Sequence, residues 1–231
     1  MNAVLRQEKK YLVSTVDQLR MSAVLERIML QDSHNGAQGY PIRSLYFDTP
    51  DERDFEDKIN GLELRRKLRL RLYDPRGDFA MLEMKQKQGS QQQKRSLRME
   101  REDAARLILG DYTPLLSYEE PFAAECYGLM TMQCYRPKAV VDYKRRAFIA
   151  KENKIRVTFD SDIRATEGGF DIFSDRLAMY PVLDPFNAVL EIKFNGFLLS
   201  YIKDLMELAD RSELSVSKYC LARSAGMRYS L

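Results

Sequence analysis

Tryptophan is absent from this 231-residue chain, and histidine occurs once, at His34. Without tryptophan, and with basic stretches that carry no interleaved aromatics, the chain lacks the platforms on which single-stranded nucleic acid stacks. His34 lies in a polar, glycine-containing segment between Asp32 and Pro41, where it reads as solvated and takes no role. The three cysteines (Cys126, Cys134 and Cys220) show neither metal-ligand spacing nor an even disulfide set, so they read as reduced thiols of a cytoplasmic protein. No charged-then-apolar leader opens the sequence, and no apolar run approaches the ~20 residues that span a bilayer. A Pro/Gly/Ser-rich linker is missing as well, which favours a single domain over residues 1–231. An excess of one charge is also lacking. The 37 basic and 34 acidic residues leave a net charge of +3, so a generic polycation is excluded and the local arrangement of charge becomes the question.

What is present is a Glu-x-Lys step in three places: Glu8-Lys9-Lys10, Glu83-Met84-Lys85 and Glu191-Ile192-Lys193. Each lies in a β-like alternation, and side chains two apart on a strand share a face. Each copy therefore sets a carboxylate beside an ammonium, one suited to a divalent metal and the other to a phosphate oxygen. Strands are predicted at about 4–13, 44–47, 67–73, 79–87, 94–99, 138–150, 154–160 and 189–194. Gln88 to Gln93 reads as a mobile polar connection. Helices are predicted at about 15–29, 101–109, 120–133, 197–210 and 216–226. In the first of these, Val16, Leu19, Val24, Leu25 and Ile28 recur at helical spacing.

By parity the strands share a pattern. One face is Leu, Ile, Val, Phe and Met. The other carries Arg6, Glu8 and Lys10, then Lys67, Arg69 and Arg71, then Glu83, Lys85 and Lys87, then Lys94, Ser96 and Arg98. Further on come Tyr143 and Arg145, then Lys154, Arg156, Thr158 and Asp160, and finally Glu191, Lys193 and Asn195. A solvated charged face is the ordinary alternative, since antiparallel sheets often have one. The abundance of arginine, a bidentate phosphate donor, points elsewhere. Helices that covered the apolar faces would leave the charged faces inside. The expected fold is thus α+β: an antiparallel β-barrel, or tunnel, with a charged interior and flanking helices.

In order along the chain, the segments Glu8-Lys9-Lys10-Tyr11, Ser44-Leu45-Tyr46-Phe47-Asp48-Thr49, Lys67-Leu68-Arg69-Leu70-Arg71 and Leu82-Glu83-Met84-Lys85 carry a resemblance. So do Tyr143-Lys144-Arg145-Arg146-Ala147-Phe148, Ile155-Arg156-Val157, Leu190-Glu191-Ile192-Lys193-Phe194 and Ser217-Lys218-Tyr219. As an ordered set they resemble the polyphosphate polymerase domain of the vacuolar transporter chaperone (VTC) family. That family is one of the triphosphate tunnel metalloenzymes, which also include CYTH-type triphosphatases.

The resemblance implies transfer of the ATP γ-phosphate to a growing polyphosphate chain, with release of ADP. It also implies that Lys10, Arg69, Arg71, Lys85, Arg145, Arg156 and Lys218 are phosphate ligands and that Glu191 holds Mn²⁺ or Mg²⁺. Lys94 is a further phosphate ligand for which Arg95 or Arg98 is an alternative. Lys193, as a phosphate-binding residue, and Glu83 rest on parity more than on motif, and Glu8 and Glu83 are the candidate supporting carboxylates. Hydrolytic relatives begin with Glu-x-Glu-x-Lys, whereas this chain has Arg6 in place of the first Glu, a change that favours phosphate binding over metal-activated hydrolysis. A tunnel-fold triphosphatase or polyphosphatase, and a non-catalytic polyphosphate or nucleotide binder, remain the alternatives. The expected partners are ATP and polyphosphate, with no nucleic acid. Eukaryotic relatives add a regulatory domain and membrane helices, neither of which is legible here, so synthesis without translocation is expected.

Overall fold

A computed structural model describes residues 6–89, 91–207 and 217–228. Residues 4–5 of the first predicted strand, and 208–210 and 216 of the last two predicted helices, lie outside the described residues. The chain begins with β1 (Arg6–Ser14), α1 (Thr15–Ile28), β2 (Leu30–Gln31), β3 (Tyr40–Asp48) and α2 (Arg53–Ile59). It continues with β4 (Leu64–Leu72), β5 (Phe79–Gln88), β6 (Gln91–Glu100), α3 (Arg101–Ile108) and α4 (Pro121–Met132). Then come β7 (Arg136–Ile149), β8 (Arg156–Thr166), β9 (Tyr180–Pro181), β10 (Asn187–Asn195), α5 (Ser200–Met206) and α6 (Lys218–Arg228). The fold is α+β with a large antiparallel sheet. Among the described residues no helix is long and apolar enough to cross a membrane.

Two compact units divide the chain. The first takes the residues up to Pro41, Tyr143–Arg164 and Pro181–Ser217. Its strands follow the order β1-β10-β8-β7, with β1 antiparallel to β10 from Arg6↔Asn195 to Ser14↔Asn187. Tyr11, Val13, Leu190, Ile192, Phe194, Val157 and Phe159 turn one way and form a core with Met21 and Leu25 of α1 and Ile202 and Leu205 of α5. The Phe148 and Phe159 rings meet edge to face, 6.4 Å apart. Ser14 caps α1 by accepting from the Asp17 N–H at 3.0 Å. The face α1 buries differs from the one its apolar spacing suggested. Leu25 is buried with Met21 and Ser22, whereas Val16, Leu19, Val24 and Ile28 are exposed. The flexible thioether of Met21 fills the core position that the β-branched residues do not reach.

The second unit comprises Ile42–Asp142, Ala165–Tyr180 and the chain from Lys218, with strand order β3-β4-β5-β6. Leu68, Leu70, Leu72, Ala80, Leu82, Met84, Leu97 and Met99 all face a core closed by Ala104 and Leu107 of α3 and Phe122, Ala123, Cys126 and Met130 of α4. Each fully buried leucine contributes about 1.5–3 kcal/mol relative to exposure. With the apolar face covered, the charged face of β4, β5 and β6 is the other one. The glutamine-rich connection is shorter than expected: β5 and β6 pair out to Gln88↔Gln91, so Gln91, Gln92 and Gln93 are strand and Gly89, at φ +56°, starts the tight turn. Alternation across such a polar run is invisible to hydropathy.

In the loop before β3, Gly39 has φ +84°, and a Cβ on it would collide with the Arg145 carbonyl. Gly39→Ala should therefore destabilise the protein by about 1–3 kcal/mol, read as a lower urea midpoint with unchanged slope.

Candidate functional site: two charged sheet faces

In the first unit the register puts Glu8 opposite Lys193 and Lys10 opposite Glu191. The result is a checkerboard of alternating charge across β1 and β10. The Lys10 ammonium lies 3.0 Å from Glu8 and 3.3 Å from Glu191, and Lys193 pairs with Glu191 and reaches Glu8 at 3.9 Å. Burial disfavours the Lys10 charge, but Glu191 and Glu8 outweigh it and hold its pKa above the ordinary lysine value. On β8, Arg156 is opposite Lys193 and Thr158 opposite Glu191. Arg156 donates to Asp32 at 2.6 Å and to the Tyr40 hydroxyl at 3.2 Å. Burial raises the Asp32 carboxyl, yet bonds from His34 and the charge of Arg156 bring it below its usual value. Arg145 on β7 holds the fully buried Asp160 in a bidentate pair, both contacts 2.7 Å. Four cations here face four carboxylates: Lys10, Lys193, Arg145 and Arg156 against Glu8, Glu191, Asp160 and Asp32.

The charged face of the second unit is not balanced. Across β4, β5 and β6 the register aligns Arg71–Met81–Arg98, then Arg69–Glu83–Ser96, then Lys67–Lys85–Lys94, then Arg65–Lys87–Gln92. Four successive rows on one face thus carry eight lysines or arginines and one carboxylate, Glu83. That carboxylate is 4% exposed and receives Arg69 at 2.6 and 2.9 Å, Lys94 at 2.5 Å and Arg71 at 3.7 Å. Burial would raise its pKa, but Arg69, Arg71 and Lys94 together pull it down to about 2. Arg69 also donates to the Tyr46 hydroxyl at 3.2 Å.

Each predicted site residue now has a place. Lys10, Glu8, Glu191, Lys193, Arg145 and Arg156 gather in the first unit. Arg69, Arg71, Glu83, Lys85 and Lys94 gather on one face in the second, where Lys218 is the first residue of α6. Lys94 rather than Arg95 shares the face of Lys85. Arg95 points to the helix-covered side, bonding Gln86 at 2.7 Å and Glu125 of α4 at 2.6 Å. Arg98 shares the face of Lys94 and lies over the Phe79 ring, 4.1 Å from its centroid. Lys154 falls in a 3-10 turn before β8 rather than in the strand. Sequence reasoning missed Asp32 and Tyr40 as partners of Arg156, and Tyr46 as a partner of Arg69. Tyr46 lies inside a matching segment, and its parity with Ser44 and Asp48 was the available signal.

A divalent ion would find Glu191 and, diagonal to it, Glu8. Among the described residues no three His, Cys, Asp or Glu side chains converge on a metal position. One or two carboxylates completed by substrate phosphates is an ordinary Mg²⁺ arrangement, and the checkerboard fits it.

One more acid in the second unit is perturbed. Asp54, almost fully buried, accepts from the Tyr135 hydroxyl at 3.0 Å and has Arg66 at 4.0 Å. Burial, then the nearby Asp48 charge, push its carboxyl up to about 7. A carboxyl that binds its proton more tightly when folded stabilises fully below its unfolded pKa near ~4, and this stabilisation is lost as pH rises through the folded value. Glu83 has the opposite sign but acts at lower pH, through about 2. Asp54→Asn should therefore remove a stability loss of about 1–3 kcal/mol that the wild type shows between pH 4 and 7, measured by urea unfolding across that range.

Comparison with known proteins gives these faces a context. The sequence matches the model of the VTC domain over residues 5–226. A search of curated proteins finds no match. Among solved structures, a Bacillus halodurans protein provisionally named an adenylate cyclase superposes with a TM-score of 0.52 at 12% identity, covering 92% of this chain and 95% of that one. The PH1819 protein of Pyrococcus horikoshii gives 0.49 at 11% identity, covering 95% and 99%. The first likeness supports a shared fold. The family match takes in both charged faces, from Glu8 to Lys218, and on it the chain belongs to the VTC domain family, a triphosphate-tunnel fold.

Proposed function

We propose that the protein is a polyphosphate polymerase that transfers the γ-phosphate of ATP to the end of a polyphosphate chain and releases ADP. The observation that carries this reading is the four-row ladder on β4, β5 and β6, eight cations around one carboxylate. Like charges directly opposite on neighbouring strands destabilise a sheet, and a polyanion laid along them removes the repulsion. In the transfer, the bond between the γ-phosphorus and its bridging oxygen to ADP breaks as a terminal phosphate oxygen of the polymer attacks. Such a reaction needs alignment and compensation of charge rather than covalent help.

On this reading Arg69 and Arg71, with Lys85, Lys94 and Lys218, hold phosphate oxygens in the second unit. Lys10, Lys193, Arg145 and Arg156 do so in the first. Glu191, with support from Glu8, would hold a bound Mn²⁺ or Mg²⁺, which would supply neutralisation of phosphate charge. Arg145 and Arg156 already have carboxylate partners that fix their guanidinium planes, which lowers the ordering cost of receiving a phosphate. The acid-poor metal position, with Arg6 standing where hydrolytic relatives carry a carboxylate, supports transfer over water activation.

Incubation of the protein with ATP and Mn²⁺ should yield ADP and long-chain polyphosphate in matching amounts. Free phosphate without polymer would instead mark a hydrolase, and binding without turnover a sensor. Arg69→Ala should lower polymer synthesis by about a hundredfold or more, as expected when one charge-compensating donor is removed. Near-normal synthesis would refute its place at the reacting phosphates.

A further inference from the structure

Asp48 closes β3 with its side chain fully buried. Four close donors reach its two oxygens, with the Thr49 hydroxyl a longer fifth at 3.5 Å from Oδ1. Oδ1 takes the N–H groups of Thr49 at 2.7 Å and Asp54 at 2.9 Å, and Oδ2 takes the Phe55 N–H at 3.0 Å and the Tyr219 hydroxyl at 2.7 Å. Three of those donors belong to the turn into α2 and its first residues, as an N-terminal carboxylate should have. The fourth comes from 171 residues away, on α6. Tyr219 lies beside Lys218, and its ring packs on two others. It stacks on Tyr46 with centroids 5.1 Å apart and planes 21° apart, and it meets Phe55 edge-on at 6.2 Å. Tyr46 in turn accepts from Arg69. One turn further along α6, Arg223 pairs with Glu52 and with Glu167, the latter at 2.6 Å. Spaced i and i+4, Tyr219 and Arg223 share a helix face, and they grip the two ends of the Asp48–Glu52 turn.

We propose that Tyr219 is a positioning residue. Anchored on Asp48, it ties Lys218 at the start of α6 to Arg69 on β4 through the Tyr46 ring, so that both side chains are set in one geometry. The inference rests on the reading of Lys218 and Arg69 as phosphate ligands, and it adds what places them. Two cations carried by different elements, α6 and β4, would otherwise lose their mutual register with each excursion of α6. A buried hydroxyl–carboxylate bond with a ring stack opposes such excursions, because losing it leaves the buried Asp48 Oδ2 with the Phe55 N–H as its remaining close donor and strands a buried hydroxyl. The Tyr219 hydroxyl suits this part. Burial first, then the Asp48 charge, raise its pKa above the ordinary tyrosine value and keep it a donor.

The test is a double-mutant cycle read by equilibrium binding of tripolyphosphate rather than by polymer synthesis. Arg69→Gln and Tyr219→Leu should each weaken binding about tenfold, and the double variant should also weaken it about tenfold rather than about a hundredfold, since the two act as one unit. Where Tyr219→Leu does not fold, Tyr219→Phe keeps the ring and the stack. It should give a loss of about threefold with the same non-additivity. Losses that multiply, or Tyr219 variants that bind as tightly as the wild type, would overturn the coupling and leave the phosphate-ligand reading intact. A wild type without affinity for tripolyphosphate would overturn that reading itself, and the inference with it.

Discussion

The interaction on which the second unit depends is the convergence of Arg69, Arg71 and Lys94 on Glu83. Rows of like charge on adjacent strands repel, and the Lys67–Lys85–Lys94 row has no carboxylate within it. Glu83, buried among three cations, is the local counter-charge that lets the ladder exist before a ligand arrives. Its cost is modest because the opposite face of the same strands is densely apolar, so the hydrophobic core of Leu68, Leu70, Leu82 and Leu97 carries the folding free energy that the charged face does not. Glu83 also limits affinity, since any phosphate that reaches Arg69 or Lys94 competes with a carboxylate already there.

The first unit answers the same demand differently. Its cations alternate with carboxylates in register, so the face is near neutral by itself and each guanidinium is held in plane. Such a face suits a substrate that brings its own divalent ion, because Glu191 and Glu8 offer carboxylate oxygens beside the ammonium groups of Lys10 and Lys193. The local excess of positive charge lies on the β4–β5–β6 face, where a metal-free polyanion would find its compensation. The Asp48–Tyr219 anchor adds a constraint of another type, one of position rather than of charge.

Much of this was legible in the sequence because a strand's period of two is unforgiving. Once Leu68, Leu70 and Leu72 face the core, Lys67, Arg69 and Arg71 must face away from it; Arg95, open as an alternative in the sequence, is excluded by its bonds to Gln86 and Glu125 on the helix-covered side. The order of the motifs along the chain carried the family. What escaped was of two sorts. Some elements with a weak or misleading apolar signal escaped: the short helix α2 carries no expectation at all, the polar Gln91–Gln93 run is a strand end rather than a connection, and α1 turns its valines and isoleucine outward while Met21 and Leu25 face in. Long-range partners were unreadable, since nothing local marks Asp32 for Arg156 or Tyr219 for Asp48, which lie 124 and 171 residues apart.

The central claim is that Glu83 is a stand-in for ligand charge within a cationic ladder. Equilibrium titration of tripolyphosphate into the wild type and Glu83→Gln, over a series of salt concentrations, tests it most directly. The variant should bind more tightly, and its affinity should fall more steeply with added salt because more uncompensated cations take part. Weaker binding by the variant, or an unchanged salt dependence, would contradict it.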